Sequence, residues 1–212
     1  VAVSPHRNNV VLAGCDVGGV LRSEDFGRHW TLCNTGLVSD GDRAVADFAW
    51  DPREPDVVYM GSGACFGKPE GPYGGLWRSE DEGKTWRLVT RVARFSGLGS
   101  QRQWGRVLKI DARDGSVWAG TAWDGLLRSK DRGKTWEKLG LGGEFIVGVE
   151  LSAVEPETVW VAAAPTEYST GSVWLSRDEG KSWTQALKGE KVRGVAVDPR
   201  EAARAYVVVR DR

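Results

Sequence analysis

Ser79-Glu80-Asp81-Glu82-Gly83-Lys84-Thr85-Trp86 is one of four copies of a single pattern in this chain. The others run from Ser23 to Trp30 with Asp25 and Gly27, from Ser129 to Trp136 with Asp131 and Gly133, and from Ser176 to Trp183 with Asp178 and Gly180. Successive copies start 56, 50 and 47 residues apart, the spacing of a repeat architecture. A short polar segment between two β-prone runs reads as a hairpin turn. Its Asp can accept from backbone N–H groups of its own turn, its Gly takes a positive φ at no steric cost, and its Ser hydroxyl adds a local bond. The Trp brings a large ring to bury beneath the hairpin and one indole N–H to satisfy. Asp25, Asp81, Asp131 and Asp178 are therefore expected to hold turns and to catalyse nothing. A calcium loop fits less well, because a helix-flanked site needs about twelve residues with ligands at alternate positions.

Around each copy the chain repeats the same four parts. An apolar strand ends in a polar corner: Val1-Ala2-Val3-Ser4-Pro5, Phe48-Ala49-Trp50-Asp51-Pro52, Leu108-Lys109-Ile110-Asp111, Val149-Glu150-Leu151-Ser152 and Val195-Ala196-Val197-Asp198-Pro199. A β-branched and aromatic strand follows, as in Val57 to Met60 or Thr158 to Ala162, and its near-continuous apolar character predicts burial on both faces. A third strand leads into the eight-residue pattern, and a fourth starts at its Trp. Trp50, Trp77, Trp118, Trp160 and Trp174 fall at strand positions and are assigned to the core.

The eight-residue pattern resembles the Asp box (BNR repeat) of β-propeller proteins, and four strands per repeat of roughly 50 residues is the make-up of a propeller blade. The fold class is all-β: four complete antiparallel four-stranded blades, at about 1–33, 44–90, 105–140 and 145–187, and part of a fifth at 192–212. A propeller must close, since an open array leaves strand edges unpaired, so the 212 residues are expected to form one segment of a larger propeller.

Acids and bases balance at 29 each, so no global field draws in nucleic acid or an anionic membrane. No apolar run approaches the roughly 18 residues of a membrane span. The opening Val1-Ala2-Val3 is already strand-like and shows no signal peptide. Cys15, Cys33 and Cys65 lack metal spacing, and His6 and His29 are the only histidines, so neither a metal site nor a cofactor is expected. The thiols read as free, with a Cys15–Cys33 disulfide the alternative in a secreted protein.

Irregularity concentrates in the loops at the blade ends opposite the Asp boxes. These hold an insertion from Ala64 to Gly74, the Thr121-Ala122-Trp123-Asp124 loop, the Pro165-to-Thr170 loop and the long connection from about Thr90 to Gly105. Aromatic rings along a groove stack on sugars, and nearby carboxylates bond to hydroxyls. Tyr73, Trp104, Trp123, Asp124 and Tyr168 are the candidate substrate-binding residues. Between Gly83 and Ile110 there is no acid but seven bases, Lys84, Arg87, Arg91, Arg94, Arg102, Arg106 and Lys109, and the basic loop 87–106 is the candidate surface for an anionic ligand or acidic protein partner.

Blade one reads Ala13-Gly14-Cys15-Asp16-Val17-Gly18-Gly19-Val20-Leu21-Arg22. This resembles the Thr-Asp-Ile/Val-Gly-Gly-Ala-Tyr-Arg segment of the first propeller in the xyloglucan-hydrolysing glycosidases. The order that follows is also similar: a blade-two strand ending in Asp-Pro, then Gly-Gly-Leu-Trp-Arg-Ser-Glu-Asp, then Gly-Leu-Leu-Arg-Ser. The resemblance implies a catalytic carboxylate at Asp16 and a glycan-degrading hydrolase that binds a neutral β-glucan across the loop face. It also implies that the second catalytic carboxylate lies in another propeller. Cys15 departs from the family Thr, and the Arg102-to-Arg106 stretch departs from the family's Gly-Glu-Arg-Leu-like one. Glycoside hydrolysis needs two carboxyl groups, and Asp16 fits the base of an inverting scheme, with Asp40, Asp42, Glu70, Asp124 and Glu167 unranked as partners. A sialidase reading lacks its early Arg-Ile-Pro motif. The alternative is a non-catalytic Asp-box propeller that binds protein or acts as an assembly scaffold, as in sortilin-type receptors and photosystem assembly factors. The compartment stays open, with an extracytoplasmic or secreted one favoured.

Overall fold

The computed structural model describes residues 1–63, 74–97, 102–103, 105–166 and 169–210. Strand-forming runs of Val, Leu, Ala and Trp alternate with turn residues along the whole chain, and the outcome is all-β. Four four-stranded antiparallel sheets and one two-stranded sheet follow each other in sequence. The first holds β1 (Ala2–Val3), β2 (Val11–Gly14), β3 (Val20–Ser23) and β4 (Thr31–Leu32). The second holds β5 (Val45–Trp50), β6 (Val58–Ser62), β7 (Gly75–Ser79) and β8 (Arg87–Thr90), preceded by the short helix α1 (Asp40–Arg43). In the third are β9 (Leu108–Ile110), β10 (Val117–Gly120), β11 (Leu126–Ser129) and β12 (Glu137–Lys138). The fourth has β13 (Phe145–Leu151), β14 (Val159–Ala164), β15 (Gly171–Ser176) and β16 (Thr184–Glu190), and the last pair is β17 (Val192–Val197) with β18 (Ala205–Val209).

The described chain divides into two compact units. One comprises Val1–Arg102, Ile110–Val117 and Ser129–Thr135; the other comprises Gln103–Lys109, Trp118–Arg128 and Trp136–Arg212. In the first, a core cluster joins Leu12, Val20, Phe48, Trp50, Met60, Trp77 and Trp86. In the second, Trp118, Leu126, Ile146 and Val161 form one cluster, and Phe145, Trp160, Ala162 and Val195 another. Trp50, Trp77, Trp118 and Trp160 are buried, and Trp174 packs half-buried against its cluster.

Registers show how the turns are placed. The Ser of the Asp box faces the first Val of the second strand in three sheets: Val11 with Ser23, Val58 with Ser79, Val159 with Ser176. At the same end, the corner after each first strand is closed by one side chain. Asp51 Oδ1 accepts from the Arg53 N–H, Asp111 Oδ1 from Arg113, Asp198 Oδ1 from Arg200, and the Ser4 and Ser152 hydroxyls do the same work at their corners. First strands also share a bulge, between Val45 and Asp47, Ile146 and Gly148, and Val192 and Gly194. An extra residue at that point bends the strand and sharpens its twist.

The four boxes share one hydrogen-bond scheme. In the second, the Ser79 hydroxyl donates to Asp81 Oδ1 at 2.7 Å and accepts from the Gly83 N–H at 2.8 Å. Asp81 Oδ1 then accepts from Lys84 and Thr85 N–H, and Oδ2 accepts from the Thr85 hydroxyl. Ser182 and Thr135 play the part of Thr85 in the fourth and third boxes, and the His29 ring does so in the first. Gly is not the only left-handed residue: Phe26, Glu82, Arg132 and Glu179 just before it have φ of 58–62°. The turn thus needs two successive left-handed residues, and only one of them is glycine.

These bonds favour the charged carboxylate. The Thr135 hydroxyl and N–H with Ser129 hold Asp131 down to about 2, and Ser182 and Ser176 hold Asp178 at about 2, against an ordinary 3.8. A group whose folded value lies below its unfolded value contributes stability that is complete above the unfolded value and is lost as pH falls through the folded one. The midpoint of thermal unfolding should therefore hold level from about pH 7 to 5 and fall between about pH 4 and 2. Asp131→Asn with Asp178→Asn should lower it at neutral pH and flatten the acid limb, and an unchanged acid limb would assign acid unfolding to other groups.

Buried arginines tie each sheet to the box of the next. Arg22, one residue before the first box, donates Nε to the Glu82 carbonyl at 2.9 Å and Nη2 to Glu82 Oε2 at 3.2 Å, both side chains being at most 5% exposed. Arg7 adds a second cation to the same carboxylate. Arg128 repeats the device on Glu179 at 3.1 Å, its guanidinium 5.0 Å from the Trp118 ring centroid. At the remaining join the left-handed residue is Arg132, of the same sign as Arg78, and Glu54 bridges the two. Glu82→Gln should cost about 3 kcal/mol, because removing one charge of a buried pair strands the other. Urea unfolding reads this directly, and a loss under about 1 kcal/mol would mean that water screens the pair.

Two expectations need correction. Trp30 is 40% exposed and turns its Nε1 back to the Gly27 carbonyl, so the first box ring is not buried beneath its hairpin. Its counterparts Trp86 and Trp183 reach the carbonyls of Cys33 and Leu139 in the preceding sheet, so the burying surface belongs to that sheet and not to the hairpin itself. In β18, Tyr206, Val208 and Val209 are 58%, 63% and 47% exposed, unlike the other second strands, because β18 pairs with β17 alone among the described residues.

Candidate functional site

Asp16 sits half-buried in the loop from β2 to β3. Two glycines let the chain turn here. Gly19 has φ of +86°, and a Cβ on it would lie 2.0 Å from Asn34 Oδ1, so only glycine fits. Asn34 clamps the loop from both sides, accepting from the Val20 N–H at 2.9 Å and donating to the Gly18 carbonyl at 2.8 Å. The Cys15 N–H closes the loop on Gly19, while the Cys15 carbonyl accepts from Val45 and the Gly19 N–H donates to Arg43. Asp16 is thus carried on a loop bolted to the start of β5. Its Oδ1 lies 3.1 Å from Arg102 Nη2, and that nitrogen also donates to the Gly97 carbonyl at 3.1 Å.

The same end of the first unit carries α1. Ser39 caps this helix, and Asp42 completes a capping box by accepting from the Ser39 and Val38 N–H groups. Arg91 Nη1 lies 3.1 Å from Asp42 Oδ1, and the Arg91 guanidinium stands over the Trp77 ring. Burial works against a charged Asp42, but the Ser39 bonds and Arg91 outweigh it and hold the carboxyl below its usual range. A fully buried carboxylate with these bonds is a structural group, which removes Asp42 from the possible acid partners. Asp40 stands exposed in the first turn.

Phe95 belongs to the core. Its ring is 0% exposed and lies where a Cβ on Gly61 would be, 2.8 Å away, and the Gly97 N–H donates to the Gly63 carbonyl at 2.8 Å. The segment from Arg91 to Gly97 is thereby strapped over the end of β6 and delivers the carbonyl that orients Arg102. Of the seven bases in this region, Arg91, Arg102 and Lys109 are in close ion pairs, with Asp42, Asp16 and Glu150.

In the second unit, the loop from β10 to β11 is closed by Thr121, whose N–H and hydroxyl both donate to the Gly125 carbonyl, while its Oγ1 accepts from the Asp124 N–H. The Trp123 carbonyl accepts from Gly143, and the Trp123 ring is 40% exposed. Asp124 is half-buried beside it. Tyr73, Trp104 and Tyr168, with Glu70, Glu167 and Cys65, lie outside the described residues. Cys15 and Cys33 are free thiols, and burial pushes Cys33 up. No cluster of metal-binding side chains occurs among the described residues, and none of their helices is long and apolar enough to cross a membrane. Asn34, Arg102 and Phe95 are the residues that sequence reasoning left out of the Asp16 loop. Their roles depend on contacts 14 to 86 positions away in the chain, and only the Asn before a Gly36 turn carried any local signal.

Sheets of this kind, each with its third and fourth strands joined by an Asp-box hairpin, define an Asp-box β-propeller array. The family model of the BNR-Asp box repeat matches residues 126–139, which contain the third box. A curated xyloglucanase from Paenibacillus sp is 28% identical over 114 residues, covering 52% of this chain and 11% of that protein. The GH74 xyloglucanase of Xanthomonas campestris is similar in fold with a TM-score of 0.74 at 24% identity, over 88% of this chain and 30% of its own. The Niastella koreensis GH74 enzyme aligns with a TM-score of 0.79 at 20% identity, over 98% of this chain and 32% of its own. The chain therefore spans about a tenth of the curated relative and about a third of each of these structures. It is a xyloglucanase-like Asp-box propeller in fold.

Proposed function

We propose that this chain is the part of a secreted, glycan-degrading glycoside hydrolase that takes a neutral β-glucan chain at its loop ends, with Asp16 as a catalytic carboxylate. The observation that carries this is the Asp16 loop: a half-exposed carboxylate, fixed by Asn34 and Arg102 on the rim of a rigid sheet, in a segment that resembles the xyloglucan-hydrolysing glycosidases. A base must be held within hydrogen-bond reach of a water while the sugar is bound. In an inverting scheme Asp16 takes the proton of that water, and a second carboxyl roughly 6.5–9.5 Å away protonates the leaving oxygen. Arg102 orients Asp16 from one oxygen.

Trp123 offers an exposed ring suited to stacking on a sugar face. Titration with xyloglucan oligosaccharides, followed by tryptophan fluorescence, should give saturable quenching. Trp123→Ala should weaken it by roughly tenfold, about 1.4 kcal/mol for one stacked ring. Absence of saturable binding to the unsubstituted chain would sink the reading.

One observation favours a second reading, a non-catalytic propeller that binds protein. Asp16 is already engaged by Arg102 at 3.1 Å, as an anchoring pair would be. In that case oligosaccharides leave the fluorescence unchanged, and Arg102→Ala has no bearing on glycan turnover.

A further inference from the structure

The segment Arg43-Ala44-Val45 is where the Asp16 loop and the strap from Arg91 to Gly97 meet. On one side the Gly19 N–H donates to the Arg43 carbonyl, and the Val45 N–H donates to the Cys15 carbonyl, both at 3.1 Å. On the other, the Ala44 carbonyl accepts from the Gly63 N–H at 2.9 Å, and a Cβ on Gly97 would lie 2.2 Å from the same carbonyl. Gly97 in turn holds Arg102, the partner of Asp16. The backbone of Arg43 is thus fixed against both halves of the candidate site, by contacts within the first unit.

Its side chain differs from the other two arginines placed here. Arg91 and Arg102 face Asp42 and Asp16. Arg43 is half-buried, and its Nε is shielded from solvent with no acceptor among the described residues. A desolvated donor without an acceptor costs about as much as a lost hydrogen bond. Swinging out to Asp40 would relieve it, since side chains three apart on a helix can meet. Asp40 stands exposed at that spacing on α1, and no pair forms between them. The Nη nitrogens of Arg43 are not shielded in the same way, so the far edge of the guanidinium is what it presents. Local rules of this kind are broken mostly where function requires it. A stem packed as far as Nε also leaves a planar fork already ordered, so little freedom is lost when two oxygens dock on it.

We propose that Arg43 is a substrate-contacting residue of the Asp16 site, its two Nη groups donating to neighbouring hydroxyl oxygens of one sugar of the glycan. This rests on the glycoside hydrolase reading above. Hydroxyls on adjacent ring carbons set two acceptors side by side, the arrangement a guanidinium fork matches, and a charged donor makes the stronger bond. The sugar it grips is one that does not react. The contact is therefore alike in the ground and transition states, and it acts on KM and not on kcat.

Arg43→Met, made in the protein that carries this chain, keeps the stem and removes every donor. With xyloglucan oligosaccharides it should raise KM roughly ten- to a hundredfold, the worth of one or two bonds from a charged donor. Calorimetry should show affinity falling by the same factor, while kcat stays within about twofold. Arg43→Lys, which cannot hold two oxygens in one plane, should recover only part of the loss. The midpoint of thermal unfolding of the Met variant should hold or rise, because the shielded Nε goes with the guanidinium. Unchanged KM and affinity in the Met variant, beside normal binding by the unsubstituted protein, overturns the proposal and leaves the hydrolase reading standing. A lower midpoint with unchanged affinity does the same and assigns Arg43 to the fold. No binding by the unsubstituted protein removes the hydrolase reading and this proposal together. Tighter binding of a glucuronate-bearing oligosaccharide than of the neutral one, lost in the Met variant, would make a carboxylate the ligand and overturn the hydroxyl assignment.

Discussion

Asp16→Asn, made in the protein that carries this chain, is expected to cut turnover of a β-glucan by about 10²–10⁴-fold, the usual worth of a positioned acid or base. Binding of the same glucan should stay within a few-fold. The amide is nearly isosteric and keeps one oxygen for Arg102, so the loop held by Asn34, Val45 and Arg43 has no reason to move. A turnover loss without a binding loss is the signature of a group that acts in the transition state. The asparagine would bind but could not take the proton of the attacking water. Unchanged turnover, with folding shown normal by circular dichroism, would end the catalytic reading of Asp16. The protein-binding alternative would then stand.

Phe95→Ala should lower the free energy of unfolding by about 3–5 kcal/mol, the range for emptying a fully buried aromatic site. The ring is 0% exposed and fills the space above Gly61, which has no side chain of its own to close the gap. Collapse is blocked from the other side too, because a Cβ on Gly63 would meet the Phe95 carbonyl at 1.9 Å, so backbone is already in contact there. Urea unfolding measures the loss. Trypsin cleavage at Arg91 and Arg94 offers a second readout, since a loosened strap exposes them. A loss under about 1 kcal/mol would show that the strap is held by its backbone bond to Gly63 and not by the ring. The consequence for the candidate site is indirect: the Gly97 carbonyl would no longer be held for Arg102, and Asp16 would lose its orienting partner.

Legibility differed sharply between fold and site. The boxes could be read because each turn is local: its Ser, Asp and Gly make bonds spanning no more than four positions. The blade pattern was legible for the same reason, as strand periodicity and corner residues repeat with the box. The left-handed Glu82, Arg132 and Glu179 were not, because nothing in their side chains favours that conformation. They are held there by the turn on either side, and the side chains of Glu82 and Glu179 pair with the arginine of the preceding sheet. The shared bulges in β5, β13 and β17 likewise have no compositional mark. Phe95 lies in the long connection from about Thr90 to Gly105, which the sequence marks only as loop, yet it is core, since its burial depends on two glycines at the end of β6 more than thirty positions earlier.

By itself, then, the sequence determined the repeat, the all-β blades, the hairpin turns and the position of Asp16 beside Gly18-Gly19, because these follow from bonds and conformations within a few residues. Tertiary structure decided which aspartates are committed to structure. It gave Asp42 to a capping box and Arg91, and left Asp16 on a rim with Arg102. It also decided where Trp86 and Trp183 pack, since their seats are made by a different sheet, while Trp30 stays exposed. Such outcomes depend on contacts between residues tens of positions apart, and no local pattern of residue types encodes which of those contacts will form.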